Sequence, residues 1–430
     1  MTPEVKKRIE QIRQGIVPEG YKKGKIGIVP IKWNEVPFST LFTSTSEYTD
    51  DLEQYPLYSL TIEDGITAKT ERYERSHLVK KENSYKVVRP NDYAYNPMNI
   101  RFGAVARHKG DIPVAVSGYY DIFTTVHESD LVFMDSFLTY GPMITYYNKV
   151  STGSLVEKQR VHFSDFLEFS LALPPLEERK KIAEILSTQD KAIELQGRKI
   201  EELKRFKKGC LEKMFPRKGQ KVPETRFPGF TGDWEQRKVS TIASDTRGGG
   251  TPATSNETYW SGNIPWIQSS DLSEGKLFGV EPRKYISRDG LNNSATQLVP
   301  ENSIAVVTRV GVGKLAFMPF SYTTSQDFLS LCKLQTEPHF TVYALYQMLQ
   351  GELQAVQGTS IKGMTKDDLL SKSIFAPKDE VEQQQLGSYF RNLDTLITLH
   401  QRKLEEMKKQ KKALMQLLLT GIVKTKGEVR

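Results

Sequence analysis

The sequence predicts an α+β protein in which two mixed α/β globules are separated by two long helices, as an internal repeat. Two segments of 40 residues, 176–215 and 380–419, align without a gap at an offset of 204 residues (380 − 176). Both carry a heptad pattern, and a globule-sized stretch with short β-rich runs precedes each. A chain of 430 residues is long enough for two or three such domains.

The two repeated segments share their register as well as their length. Apolar residues recur in alternating steps of four and three, which is typical of helices that pair along a seam. The predicted seam residues are Ile182, Leu186, Ile193, Ile200 and Leu203 in the first segment, and Leu386, Phe390, Leu393, Ile397, Leu404 and Met407 in the second. Polar interruptions also coincide, Gln196 with His400 and Lys207 with Lys411, and such residues commonly determine register and partner choice.

Helix signals stand at the ends of both segments. Pro174 and the following proline precede the first, and Asp379 with Glu382 predicts a capping box at the second. Pro216 and Gly421 stand just beyond the two ends. Forty residues at about 1.5 Å each give a rod of roughly 60 Å, whose seam stays exposed unless it is paired. The two copies are therefore expected to pair with each other.

The remaining elements complete the predicted order. A short helix near the N-terminus, capped by Thr2, places Val5, Ile9, Ile12 and Ile16 on one face. The predicted ranges are an N-terminal helix over 1–16, a first globule over 17–173, a long helix over 174–216, a second globule over 217–379, a long helix over 380–421 and a tail over 422–430.

The two globules begin alike and then diverge. Trp33 and Trp234 open them at an offset of 201 residues (234 − 33). Short apolar runs bounded by turn residues predict strands at Leu131–Met134, Ile304–Thr308 and Leu315–Met318. Similar connectors that carry dissimilar globules suggest a common docking geometry with different targets.

Composition narrows the class of function. The 60 Lys and Arg against 52 Asp and Glu give a net charge of +8, which favours a polyanionic partner. Cys210 and Cys332 form no CxxC pair, and the six His are scattered, so we expect no disulfide framework, no metal site and no cofactor. Reduced cysteines, a charged N-terminus and the lack of an 18-residue apolar run favour the cytoplasm.

This pattern resembles the specificity subunits of type I restriction-modification enzymes along nearly the whole chain. The duplicated helix starts LPPLEERKKIAEILSTQDKAI and PKDEVEQQQLGSYFRNLDTLI carry the resemblance, together with VPETRFPGFTGDWEQRKV at the opening of the second globule. Weaker matches lie at Tyr95–Val105, Ile264–Leu272, Thr308–Phe317 and Thr324–Phe328.

The resemblance implies a function for each part. The globules would be target-recognition domains, each reading one half of a bipartite site in double-stranded DNA. The helices would form an antiparallel coiled coil, related by a pseudo-two-fold repeat, that spaces the domains and docks two modification (methyltransferase) subunits. Restriction subunits, which carry the ATP-dependent motor and nuclease, would join that core in the cytoplasm.

Candidate DNA contacts follow from residue type and turn context, because groove edges are read by polar side chains on loops and helix starts. In the first globule they are Asn96, Asn99, Arg101, Tyr119, Tyr120, Ser154 and Lys158. In the second they are Arg247, Thr251, Ser269, Ser270, Arg309, Lys314, Gln326, Thr359 and Lys362. The alternative for each residue is a role in turn architecture alone.

Catalytic motifs are missing from the sequence. Asn96-Pro97-Met98-Asn99 comes nearest to an adenine methyltransferase motif, but it lacks the second proline and the aromatic residue. No GxxxxGK[ST] loop is present either. We therefore expect a non-catalytic DNA-binding subunit. The alternatives are the DNA-reading part of another methyltransferase or restriction system, whose fused catalytic part would need hundreds of further residues, and a coiled-coil adaptor without sequence specificity.

Overall fold

A computed structural model of the chain describes residues 2–69, 84–155, 158–217, 219–355 and 363–425. The helices are α1 (Pro3–Arg13), α2 (Leu131–Phe137), α3 (Gly141–Val150), α4 (Phe163–Leu167), α5 (Leu176–Met214), α6 (Val239–Ile242), α7 (Arg288–Asn292), α8 (Pro338–Ala355), α9 (Lys366–Ser371) and α10 (Glu380–Leu419).

The strands up to the first long helix are β1 (Tyr21–Gly24), β2 (Gly27–Pro30), β3 (Asn34–Pro37), β4 (Phe42–Thr45), β5 (Tyr48–Thr49), β6 (Tyr58–Thr61), β7 (Gly65–Ala68), β8 (Tyr85–Val88), β9 (Tyr93–Tyr95), β10 (Val105–Arg107), β11 (Val114–Ser117), β12 (Asp121–Thr125) and β13 (Ser170–Leu173). The later strands are β14 (Glu235–Lys238), β15 (Ala243–Gly248), β16 (Ile264–Ile267), β17 (Lys284–Ile286), β18 (Ser303–Val307), β19 (Leu315–Met318), β20 (Thr323–Thr324), β21 (Phe328–Leu334) and β22 (Ser373–Ala376).

The chain forms two compact units whose boundaries lie inside the long helices. The first unit is Met1–Gln196 with Lys403–Arg430, and the second is Gly197–Arg402. Each unit therefore holds one globule together with one half of each long helix. That the recognition domains correspond to the continuous ranges 17–173 and 217–379 remains a prediction.

Small sheets build the globule of each unit. In the first unit β10-β9-β12-β4 form one antiparallel sheet and β11-β8-β5 another. In the second unit β15-β21-β18-β19 are antiparallel, and β16 pairs antiparallel with β17 and parallel with β20. The predicted α+β class with an internal helical repeat is confirmed.

Both globules close in the same way at the start of their long helix. The strand that follows Trp33, β3, pairs with β13, which leads into α5. The strand that follows Trp234, β14, pairs with β22, which leads into α10. Both tryptophans are buried, which explains why this position is shared by otherwise dissimilar globules.

One of the three predicted strands is wrong. Residues 304–307 and 315–318 lie in β18 and β19, but Leu131–Met134 forms the first part of helix α2. Short apolar runs do not distinguish a buried strand from a buried helix. The run at 131 continues with Phe137 on the buried face, one helical turn beyond Phe133, and it has only one β-branched residue, Val132.

In the first unit the two long helices run antiparallel. Asp190 of α5 accepts a hydrogen bond from Lys411 of α10 at 2.5 Å. Ile182, earlier in α5, shares one core cluster with Leu418, later in α10, as antiparallel pairing requires.

The second unit repeats this arrangement. Lys207 of α5 donates to Asp394 of α10 at 2.5 Å, and Cys210 lies 3.5 Å from the hydroxyl of Tyr389. The two ion pairs are equivalent under the offset of 204 residues, because Asp190 corresponds to Asp394 (190 + 204 = 394) and Lys207 corresponds to Lys411 (207 + 204 = 411). The duplicated register of the sequence thus produces the same cross-helix pair in both units.

The predicted seam is buried unevenly. Its buried members are Ile182, Leu186, Ile200, Leu203, Leu386, Phe390 and Ile397, and its half-buried members are Ile193, Leu393, Leu404 and Met407. The polar positions Gln196 and Lys207 are buried too, as expected of residues that belong to the seam.

Buried polar contacts tie the start of each long helix to its globule. Arg179 donates from its Nε and one terminal nitrogen to both oxygens of Asp130, each at 2.8 Å. At the equivalent position of α10 (179 + 204 = 383), the Gln383 side chain accepts from the backbone N–H of Glu337 at 2.9 Å. Both contacts join a long helix to the start of a helix in the globule, α2 in the first unit and α8 in the second.

The N-terminal caps are partly as predicted. Thr2 accepts from the N–H of Val5 at 3.4 Å, and Val5 is buried, whereas Ile16 is exposed beyond the end of α1. Asp379 accepts from the N–H of Val381 at 2.8 Å. The predicted reciprocal bond from Glu382 is replaced by a two-point ion pair with Arg226 at 2.6 and 2.7 Å.

Candidate nucleic-acid interface

In the second unit, four candidate residues contact one another in two pairs. The Thr251 hydroxyl donates to the Gln326 side chain at 2.8 Å, and the Lys314 ammonium donates to the backbone carbonyl of Ser269 at 3.4 Å. Thr251 and Gln326 are both exposed. This bond orients the Gln326 amide and leaves its oxygen a second lone pair. An amide that offers both its oxygen and its nitrogen can pair with adenine in the major groove.

Close backbone packing holds the loop that carries Thr251. A methyl group at Gly249 would lie 1.9 Å from the carbonyl oxygen of Ser325, and one at Gly250 would lie 2.5 Å from the backbone nitrogen of Thr296. Gly250 also donates its N–H to Thr324 at 2.9 Å. Glycine is therefore required here by close approach of two loops, so this run is tightly packed and not a flexible turn.

The other candidates of the second unit differ in their freedom to bind DNA. Arg309 is exposed, and its side chain makes no hydrogen bond or ion pair with the described residues. Arg247 is held by Asp245 at 3.0 Å. Ser270 is exposed, and its carbonyl accepts from Arg283 at 3.2 Å. Thr359 and Lys362 lie outside the described residues.

In the first unit, two of the candidates are buried. The Asn96 side chain accepts from the N–H groups of Met98 and Asn99 at 3.1 and 3.2 Å, so it stabilises its own turn. Arg101 donates to the Gln159 side chain at 2.5 Å, and its Nε is buried without a hydrogen-bond partner. These two side chains are available to DNA only if the surrounding loops move.

The remaining candidates of the first unit are accessible to different extents. Asn99, Ser154 and Lys158 are exposed, and Tyr119 is 44% exposed. Tyr120 is half-buried and packs against a small apolar cluster. Burial raises the pKa of the Tyr120 hydroxyl, which stays a neutral hydrogen-bonding group at physiological pH.

Sequence reasoning missed two residues beside these candidates. Gln159 is the partner of Arg101, and Val310 stands exposed next to Arg309. Gln159 has no local signal beyond its place in a polar loop. Val310 had a signal in the sequence: it is an apolar residue inside the glycine-rich turn RVGVGK, where the turn itself does not require an apolar side chain.

The part of the chain that the structure describes holds neither a candidate metal site nor a candidate membrane-spanning helix. No cluster of three or more His, Cys, Asp or Glu side chains there could hold a metal ion. Among the same residues, no helix combines the length and apolar character that a membrane crossing requires.

The family model of the type I restriction modification DNA specificity domain matches residues 135–205 and 231–409, more than half of the chain. The chain belongs to this specificity-domain family. The resemblance inferred from the duplicated helix starts is thereby confirmed. In this family member, the two matched regions take in most of both long helices and most of the second globule.

Similarity to a curated relative and to solved structures extends over nearly the whole chain. The family member is 24% identical to the type I restriction enzyme MjaX specificity subunit of Methanocaldococcus jannaschii, over 98% of this chain and 93% of that protein. Its fold is similar to a chain in a solved type I R-M system, with a TM-score of 0.57, 17% identity and coverage of 92% and 99% of the two chains. It is also similar to the crystal structure of a type I restriction-modification S subunit from M. genitalium, with a TM-score of 0.54, 11% identity and coverage of 93% and 99%.

Proposed function

We propose that this chain is the non-catalytic DNA-specificity subunit of a type I restriction-modification complex. Each globule reads one half of a bipartite site in double-stranded DNA, and the paired helices act as the spacer. The observation that carries the proposal is the combination of family membership with two long helices of matching length and heptad register that bear two dissimilar globules. The net charge of +8 favours the same partner, since neutralised phosphates release counterions.

The duplicated helices also suggest the number of partners. Leu195 and Leu399 are 61% and 55% exposed and are equivalent under the offset (195 + 204 = 399). Both are followed by the same pattern, since residues 195–202 read LQGRKIEE and residues 399–406 read LHQRKLEE. An exposed leucine in the same setting on both units favours two copies of one partner, the modification (methyltransferase) subunit. Restriction subunits would join this core and supply the ATP-dependent cleavage.

We expect Leu195→Asp and Leu399→Asp each to weaken the docking of one methyltransferase copy, and the double variant to lose both. An anchoring side chain that is buried at an interface is worth about 30-fold or more in affinity. Mass measurement of the purified complex should then give one copy for each single variant. The matched control is Val381→Asp, because Val381 is also exposed on α10 but has Glu177 at the equivalent position. Two copies in every variant would contradict the docking proposal.

Mapping of methylated bases tests the reading function directly. In a host that carries this gene with its methyltransferase partner, we expect methylation at one bipartite sequence. Exchanging residues 217–379 for the corresponding part of another specificity subunit should change one half of that sequence and leave the other half unchanged. Altered preference in both halves would contradict modular reading, and methylation without any sequence preference would contradict the specificity role.

The cytoplasmic location, inferred from the two unpaired cysteines, stays part of the proposal.

A further inference from the structure

The connection between β18 and β19, residues 308–314, presents an apolar side chain close to candidate DNA contacts of the second unit. Val310 is 69% exposed, the highest value among the exposed large hydrophobic residues of the described chain. Its neighbour Arg309 is exposed as well, and Lys314 at the far end of the connection reaches the carbonyl of Ser269. Val310 is thus an apolar tip among groups that are suited to DNA.

The base of this connection is held in place on several sides. Thr308 donates its N–H and its hydroxyl to the carbonyl of Asp327 at 2.7 and 3.1 Å, and it accepts from the N–H of Met364 at 2.7 Å. Gly313 has a φ of +98°, and a methyl group there would lie 2.3 Å from the Leu353 side chain. The tip is therefore presented by a pre-organised hairpin, and an ordered contact loses little conformational entropy on binding.

The hairpin lies beside the candidate DNA contacts Thr251, Gln326 and Ser269. Its base residue Thr308 bonds to Asp327, which directly follows Gln326, and its last residue Lys314 contacts Ser269. A molecule that engages the exposed pair Thr251 and Gln326 therefore lies close to the hairpin. At such a surface the methyl groups of an exposed valine gain free energy when they pack against an apolar group of the ligand.

The major groove of DNA offers one apolar group on its base edges, the C5 methyl of thymine. We infer that Val310 reads a thymine of the recognition site by packing against this methyl group, a conclusion that rests on the proposed DNA-reading function. Arg309 and Lys314 then lie where phosphates or guanine edges come within reach. Insertion of Val310 between base pairs as a wedge is a different mode, since it would not depend on the thymine methyl.

The test replaces each thymine of the mapped site, one at a time, with deoxyuridine, which pairs identically but lacks the methyl group. Binding is measured with the complex of this chain and its methyltransferase subunits. At one thymine we expect affinity to fall about fourfold, the value of one buried methyl group. Val310→Ala should lower affinity for the thymine duplex to a similar extent and should bind the thymine and uracil duplexes equally.

Val312→Ala is the matched control, because Val312 lies in the same hairpin but is only half-exposed; it should keep the full thymine preference. A site without thymine, or equal binding of the unmodified complex to every thymine and uracil duplex, would overturn the inference while the proposed function stands. Val310→Ala that keeps the preference, or that lowers assembly with the methyltransferase instead, would overturn it too. Failure of the unmodified complex to bind any sequence preferentially would refute the proposed function itself.

Discussion

Replacing Arg179 with alanine is expected to lower the free energy of unfolding by about 3–5 kcal/mol, because the change leaves the carboxylate of Asp130 buried without its partner. The two side chains are only 9% and 3% exposed, and two hydrogen bonds of 2.8 Å join them. Arg179 also donates to the carbonyl of Pro174 at 3.1 Å, immediately before the long helix begins. Chemical denaturation of the full chain, followed by circular dichroism, measures the loss.

Two further variants isolate the cause of that loss. Lys180→Ala removes an exposed pair with Glu177 on the same turn, so its effect should stay below about 1 kcal/mol. The double variant Arg179→Met with Asp130→Leu should recover most of the stability, since apolar replacement of a buried pair is often neutral. Equal losses for Arg179→Ala and Lys180→Ala would show that the buried pair is not what ties the long helix to the first globule.

The two cross-helix lysines should differ in their effect although the sequence repeat makes them equivalent. Lys207→Ala is expected to cost about 3 kcal/mol, and Lys411→Ala about 1 kcal/mol or less. Both lysines lie 2.5 Å from their aspartate, but the side chains of the first pair are 10% and 21% exposed, against 25% and 55% for the second. The Tyr343 hydroxyl also donates to Asp394 at 2.5 Å, and burial, together with this carboxylate, raises the pKa of Tyr343.

A double-mutant cycle between Lys207 and Asp394, repeated for Lys411 and Asp190, measures the two coupling energies by denaturant unfolding. We expect the first coupling to exceed the second. Adding Tyr343→Phe to Lys207→Ala should lower the free energy of unfolding further, because the Asp394 carboxylate then also loses the hydrogen bond from the Tyr343 hydroxyl. Identical coupling energies would mean that burial does not decide the strength of these pairs.

The long helices were the most predictable part of the fold. Their heptad pattern depends only on neighbouring residues, and their ends carry proline, acidic caps and glycine. The second segment repeats the heptad register of the first, so each supports the assignment of the other. The expected segment 176–215 corresponds to Leu176–Met214, and 380–419 corresponds to Glu380–Leu419. Their pairing could be predicted because one exposed seam of this length requires a partner.

Features that depend on distant residues could not be predicted. The partners of Arg179 and Glu382, Asp130 and Arg226, are 49 and 156 positions away along the chain. The run at Leu131–Met134 became a helix because its burial is decided by the packing of the globule. At the candidate interface, residue type could select Thr251 and Gln326 but not the bond between them, and it could not separate exposed Asn99 from buried Asn96.

The discontinuous composition of the first unit has a consequence for how the newly made chain folds. Its core includes Leu418 and Leu419, which leave the ribosome after all of Gly197–Arg402 has been synthesised. At ordinary elongation rates that interval lasts about 10–40 s. At its end the second unit has its complete sequence, while Ile182 and Leu186 still lack Leu418 and Leu419, the last members of their core cluster. The amino-terminal half of the protein is therefore the last to mature, and the nascent chain is most open to aggregation and chaperone capture there.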